Sequence, residues 1–152
     1  TMPVRDPEVI LGKYLAALGV MLVLLACTVA YPISVSTLGN LDWGPVLAGY
    51  VALILQGGAM LALGVLASSW TDNQLIAFFT SGIICFVFWV VSRFLPFVPQ
   101  QFASVVEWLS FDYHLQSMAR GVIDSRDIIY FVSISGIALG LAYRVLESRR
   151  WR

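Results

Sequence analysis

Three long stretches of this chain continue without a single charged side chain: Tyr14 to Leu41, Trp43 to Thr71 and Asn73 to Ser92. The hydrocarbon core of a bilayer is about 30 Å thick and a helix rises about 1.5 Å per residue, so about 20 apolar residues suffice to cross it. Each run meets that length. The chain is 59% hydrophobic and 12% charged, against roughly 45–50% and about 25% in soluble domains. Lipid, not water, is the solvent this composition fits, and its mean hydropathy of +0.84 agrees.

Asp42 and Asp72 punctuate the runs and set spans at 43–71 and 73–92. In the first run Pro32 ends or kinks the helix, leaving Tyr14 to Tyr31 as its securest part within a span at 14–37. A fourth uncharged run, Ile128 to Tyr143, falls short of the crossing length. It crosses if Arg144 snorkels and Val145 and Leu146 extend it to 128–146; otherwise the chain has three spans. No run shows a clean polar face, as expected of helices in lipid or in a bundle core. The expectation is an all-α integral membrane chain of about four transmembrane helices forming one domain.

Basic residues orient it. With four spans one side holds Arg5, Lys13, Arg144, Arg149, Arg150 and Arg152, and the other only Arg93, Arg120 and Arg126. Both termini are therefore expected in the cytosol, with 1–13 a cytoplasmic segment and 147–152 a cytoplasmic tail. That leaves 93–127 outside. Phe102, Val105, Val106 and Leu109 follow the i, i+3, i+4, i+7 pattern of an amphipathic helix, and Leu115, Met118 and Val122 partly continue it. Pro96 and Pro99 precede the first piece, and Ser110 to Tyr113 is expected to separate the two. The segment reads as an external helical hairpin, amphipathic or re-entrant, on the membrane face. Trp43, Trp70, Trp108 and Trp151 fall near the expected interfaces.

Residues that could carry chemistry are few. The sole Gly-Lys pair, Gly12-Lys13, has Pro7 where a phosphate loop needs its first glycine and Tyr14 where it needs Ser or Thr, so no ATP site is expected in this chain. Cys27 and Cys85 lie inside apolar runs, outside any disulfide or zinc spacing. Nine basic and nine acidic residues leave no field to attract nucleic acid. The single histidine, His114, stands near Asp112 in the external segment: an interfacial hydrogen-bonding residue on the ordinary reading, a pH sensor or substrate contact on the sharper one. Gln56, near the middle of a span, is either interhelical glue or a residue lining a pathway. Gly136 and Gly140 form a G-x-x-x-G, echoed by Gly58 with Ala62 and Gly64 with Ser68, and are expected to serve helix packing, within the chain before a dimer seam. Arg5, Asp6, Glu8 and Lys13, around Pro3 and Pro7, form either a solvated helix start or a docking element that transmits motion into the first span.

Two stretches resemble a known family. Residues 1–15, TMPVRDPEVILGKYL, are similar to the segment running from the cytoplasmic coupling helix into the third transmembrane helix of membrane permeases of ABC type-2 exporters. Residues 119–131, ARGVIDSRDIIYF, resemble the approach from the external re-entrant helices to the last span, above all in the gliding-motility-like subset. Leu41-Asp42-Trp43-Gly44-Pro45 and Asp72-Asn73-Gln74 suit that subset too. Such permeases have six spans, so the resemblance places this chain at spans three to six, with two spans and most of the coupling loop preceding Thr1.

The resemblance implies a permease subunit, or its C-terminal portion, of an ATP-driven exporter in a bacterial inner membrane. It is not itself an enzyme: ATP and Mg would sit on a separate ATPase subunit, pressing on Val4, Arg5, Asp6 and Glu8. A second permease subunit, identical or not, would complete the pathway among membrane lipids. Phe102, Val106, Leu109, Asp112 and His114 would belong to the external gate. A membrane anchor or assembly subunit, and an intramembrane enzyme, are readings from other classes. The enzyme would need facing catalytic side chains that the spans do not offer.

Overall fold

A computed structural model describes residues 5–150, with Arg150 described by its backbone alone; Val4, Trp151 and Arg152 lie outside the described residues. The described chain is all helical, with α1 Asp6–Thr28, α2 Ala30–Leu38, α3 Trp43–Trp70, α4 Gln74–Phe94, a 3-10 turn Leu95–Phe97, α5 Gln100–Leu109, α6 Phe111–Ala119 and α7 Ser125–Arg150. Four segments are long and apolar enough to cross a membrane: Asp6–Leu38, Trp43–Trp70, Gln74–Phe97 and Ser125–Arg149.

Local chemistry sets the ends. Asp42 accepts the Gly44 N–H at 3.1 Å and so caps α3, while Asn73 accepts the Leu75 N–H at 3.0 Å and caps α4. The polar residues that interrupt the apolar runs thus also stop and restart the helices. The first helix begins at Asp6, well before the expected Tyr14, because the Glu8 carboxylate turns back to accept the Arg5 N–H at 3.2 Å and Pro7 suits the first turn. Its break falls at Val29 rather than at Pro32. Proline removes the N–H that would reach the carbonyl of Thr28, so the disruption appears one turn upstream of the ring. The Thr28 hydroxyl meets Tyr50 on α3 at 3.0 Å and pins the kink.

The fourth span is likewise longer than its sequence estimate. Asp124 caps it, accepting the Arg126 N–H at 3.1 Å, and the helix continues through 26 residues to Arg150. Charged residues at both ends simply lengthen it beyond the uncharged run.

The hub is α3, against which α7, α4, α6 and α1 all pack, with α7 making the most extensive interface. Ala48, Ala52, Ala59, Ala62 and Leu66 of α3 are buried at spacings of three, four and seven, and most of them meet Phe131, Ala138 and Ala142 of α7 in one cluster. In lipid there is no hydrophobic force between helices, so close backbone approach over small residues supplies the attraction. The α1 crossing uses glycine: a side chain at Gly57 would collide with the Met21 sulfur, and one at Gly58 would stand 3.0 Å from the Tyr14 hydroxyl.

Gly136 and Gly140 do not join this packing. A methyl group at either would touch nothing within 4 Å. The G-x-x-x-G motif fits the spacing rule but faces away from α3; the seam is built instead from the alanines on the other side of α7. The outer faces of α1 and α4 carry exposed Leu15, Val20, Leu24, Phe78, Phe79 and Ile83, as lipid-facing surfaces should.

Candidate functional site

At one end of the bundle, α5 and α6 join the end of α4 to the start of α7. Only Ser110 separates the two short helices. Phe111 to Tyr113, expected in the linker, belong to α6 because the Ser110 hydroxyl accepts the Tyr113 N–H at 3.2 Å and caps the helix there. Val122 lies beyond the end of α6 and is exposed.

The two helices differ in where their apolar faces go. Helix α5 has the regular amphipathic stripe, yet Phe102, Val105, Trp108 and Leu109 are all exposed. Its apolar face is offered to the membrane. Helix α6, with the weaker stripe, inserts Phe111, His114 and Met118 into the bundle, where they are buried at i, i+3 and i+7. The Phe111 ring stacks on Phe88 of α4 at 4.7 Å and meets Phe131 of α7 edge-on at 5.6 Å. The Ser110 hydroxyl donates to Ser92 on α4 at 2.8 Å.

The polar centre of this end is His114, 5% exposed, with Asp127, 4% exposed. His114 Nδ1 lies 2.5 Å from Asp127 Oδ1, and Nε2 lies 3.1 Å from the Trp108 carbonyl. A carbonyl only accepts, so Nε2 carries a proton. One further proton then lies between Nδ1 and Oδ1. Whichever atom holds it, the pair has no net charge, which is how two ionisable groups are buried at this depth. Asp127 stands in the first turn of α7, where the helix dipole favours a carboxylate. Tyr130 covers the imidazole, its ring 4.0 Å away and nearly parallel, and its hydroxyl donates to the Leu109 carbonyl at 2.6 Å. One atom is left out: Asp127 Oδ2 is buried without a hydrogen-bond partner.

In the sequence His114 stands near Asp112. The partner is instead Asp127, at the start of the next long helix, and Asp112 accepts from Gln116 at 3.1 Å. The turn between them is made by Gly121, the one positive-φ residue among those described, at φ 89°. Its α carbon is pressed against Pro45 at the start of α3, where an added methyl would stand 3.3 Å from the proline ring. Of the five residues assigned to the gate only His114 is buried; Phe102 and Leu109 are exposed, and Val106 and Asp112 half-buried. Tyr130, Phe111, Ser92 and Ser110 were not singled out from sequence. The signal was there for Tyr130 and Phe131, which continue the buried stripe of α7 from Asp127 to Ala138.

With both ring nitrogens bonded within the protein, His114 has none free to take a proton from a bound molecule. The cluster is a clamp that ties α5 and α6 to α7 and α4. Beside it, between α5, α6 and α7, lies a groove of about 680 Å³. Among the described residues no group of three or more His, Cys, Asp or Glu could hold a metal ion.

At the other end of the bundle Arg149 of α7 donates to Asp72 at 2.6 Å and also to the Trp70 carbonyl. There it binds the last turn of α3, where a cation is favoured. Ile10, Lys13, Ser69, Asp72 and Arg149 line a cleft of about 470 Å³ at this end. Arg5, Asp6 and Glu8 begin α1 next to it. Gln56 is half-buried near the middle of α3, among none of the residues of either end.

No protein-family model, curated protein or solved structure matches this chain.

Proposed function

We propose that this chain is the membrane-spanning subunit, or part of one, of an ATP-driven exporter of the ABC type-2 kind, working with a separate ATPase that holds ATP and Mg. The observation that carries the reading is α1, which runs without interruption from Asp6, inside the charged segment, to Thr28 deep in the apolar run. At about 1.5 Å per residue its 23 residues extend about 34 Å. A helix of that length transfers a push at its charged start across most of the bilayer, which a coil at 5–13 could not do.

Three further features support it. Residues 1–15 and 119–131 carry the family resemblance. The cleft beside Lys13, Asp72 and Arg149 gives a partner a concave polar surface at the same end. The basic residues Arg5, Lys13, Arg144 and Arg149 gather there too, and so favour that end as the cytosolic one. In this reading the docked α5–α6 segment closes the opposite end, and a second permease chain completes the pathway.

The chain, expressed in its native membrane, should co-purify with an ATPase bearing a Walker motif. Replacing Arg5→Gln, Asp6→Asn and Glu8→Gln together removes the charges while an amide at residue 8 still caps α1. That variant should insert normally and lose the ATPase. Undiminished association would remove the coupling role, and purification with no nucleotide-hydrolysing partner would remove the exporter reading.

A further inference from the structure

The groove between α5, α6 and α7 has a polar upper part and an apolar lower part. Glu107, Asp124, Arg126 and Asp127 stand at the top with Trp108 beside them, and Ile134 and Ile137 of α7 form the lower wall. Ile137 lies more than three helical turns beyond Ser125, so about 18 Å further along the helix axis. Since α7 is a candidate span, the groove descends from the level of lipid headgroups into hydrocarbon. Its volume of about 680 Å³ is within the usual range of roughly 300–1,000 Å³ for ligand sites.

Several polar groups at the top lack partners within the protein. The half-buried Glu107 carboxylate has no hydrogen bond or ion pair among the described residues. Asp127, on the inner wall, leaves Oδ2 buried without a donor. Arg126 is exposed at the same rim, its side chain unpaired among the described residues. Two acceptors without donors, one cation without an anion and an exposed indole face define the missing group. It offers several N–H donors and a positive charge, joined to an anion and to an apolar tail.

We propose that this groove binds a membrane phospholipid whose headgroup carries a primary ammonium. The ammonium donates to Glu107 and, with a small opening of the inner wall, to Asp127 Oδ2, with Trp108 adding a cation–π contact. The phosphate takes Arg126, and an acyl chain lies along Ile134 and Ile137. A trimethylammonium head has the charge but no N–H, so it leaves both acceptors unsatisfied. A headgroup with phosphate and no amine brings a negative charge beside Glu107 and Asp124 with no cation of its own to offset it. The inference does not depend on the export reading, since a lipid can sit here with or without transport.

The test uses the delipidated chain in detergent, titrated with phosphatidylethanolamine, phosphatidylcholine and phosphatidylglycerol of identical acyl chains, and read by native mass spectrometry. Phosphatidylethanolamine should bind about tenfold more tightly than either other lipid, the scale of one charge-assisted hydrogen bond. Glu107→Gln should cut that preference to about threefold or less by removing the charge. Arg126→Gln should weaken all three lipids together, and Phe102→Ala, outside the groove, should change nothing. Equal affinities in the unaltered chain, which would indicate general lipid contact only, overturn the proposal, as does a preference left undiminished by Glu107→Gln. A photoactivatable phosphatidylethanolamine should label the Ile134 to Ile137 segment. Labelling confined to α1 or α4 overturns the site independently of any variant.

Discussion

Removing the His114 imidazole strands a buried carboxylate. Asp127 is 4% exposed, its Oδ1 is bonded to His114 and its Oδ2 has no partner, so His114→Ala leaves both oxygens unsatisfied. Breaking a buried pair in this way costs about 3–5 kcal/mol. The α7 dipole offsets about 0.3–1 kcal/mol of the penalty. The expected loss is therefore about 3 kcal/mol, including the orphaned Trp108 carbonyl. Asp127→Asn behaves differently. Its amide N–H can donate to Nδ1 while Nε2 still serves Trp108, no charge is left buried, and the loss should be about 1 kcal/mol. Replacing His114→Leu and Asp127→Leu together should cost less than His114→Ala alone, since no carboxylate remains. Reversible unfolding in mixed micelles, followed by circular dichroism, measures all three. If His114→Ala costs no more than Asp127→Asn, or the double variant is the worst of the set, the clamp account is wrong.

Other substitutions test the packing. Gly121→Ala forces an L side chain to φ 89° against Pro45 and should lower stability by about 1–2 kcal/mol in the same assay. Gly57→Leu should disrupt the crossing of α1 over α3 and speed the oxidation of Met21 by peroxide, read by peptide mass spectrometry, whereas Gly136→Ala, with nothing within 4 Å, should leave stability unchanged or slightly raised. Arg149→Ala breaks a bridge whose aspartate is 95% exposed, so its loss should stay under about 1 kcal/mol and shrink further in high salt.

Much of the fold was legible in the chain. Runs of uncharged residues marked the four long helices because crossing hydrocarbon is a matter of length and transfer energy, both read locally. Asp42 and Asp72 marked the breaks between spans, and the caps made there by Asp42 and Asn73 are contacts between near neighbours. The strongest local signals misled only where two environments look alike in sequence. The glycines at 136 and 140 have the spacing of a packed seam yet face outward, since lipid accepts an apolar surface as readily as a protein core does, whereas the stripe of α5 faces outward as an amphipathic helix on the membrane face should. The short fourth run was underestimated for a related reason: its charged ends lie where a membrane helix can keep them wet.

What the chain alone determined was where its apolar helix cores lie, and that its residues carry no phosphate-loop motif. Tertiary structure decided that His114 meets Asp127 rather than Asp112, that α6 rather than α5 enters the bundle, and that Ser92, Ser110 and Tyr130 complete the clamp. These depend on a reversal at Gly121 and on the seating of α6 against α3, α4 and α7 at once. Hydrophobic period and capping are properties of a few consecutive residues, but a buried hydrogen bond between two separate helices exists only once their neighbours have fixed both of its ends.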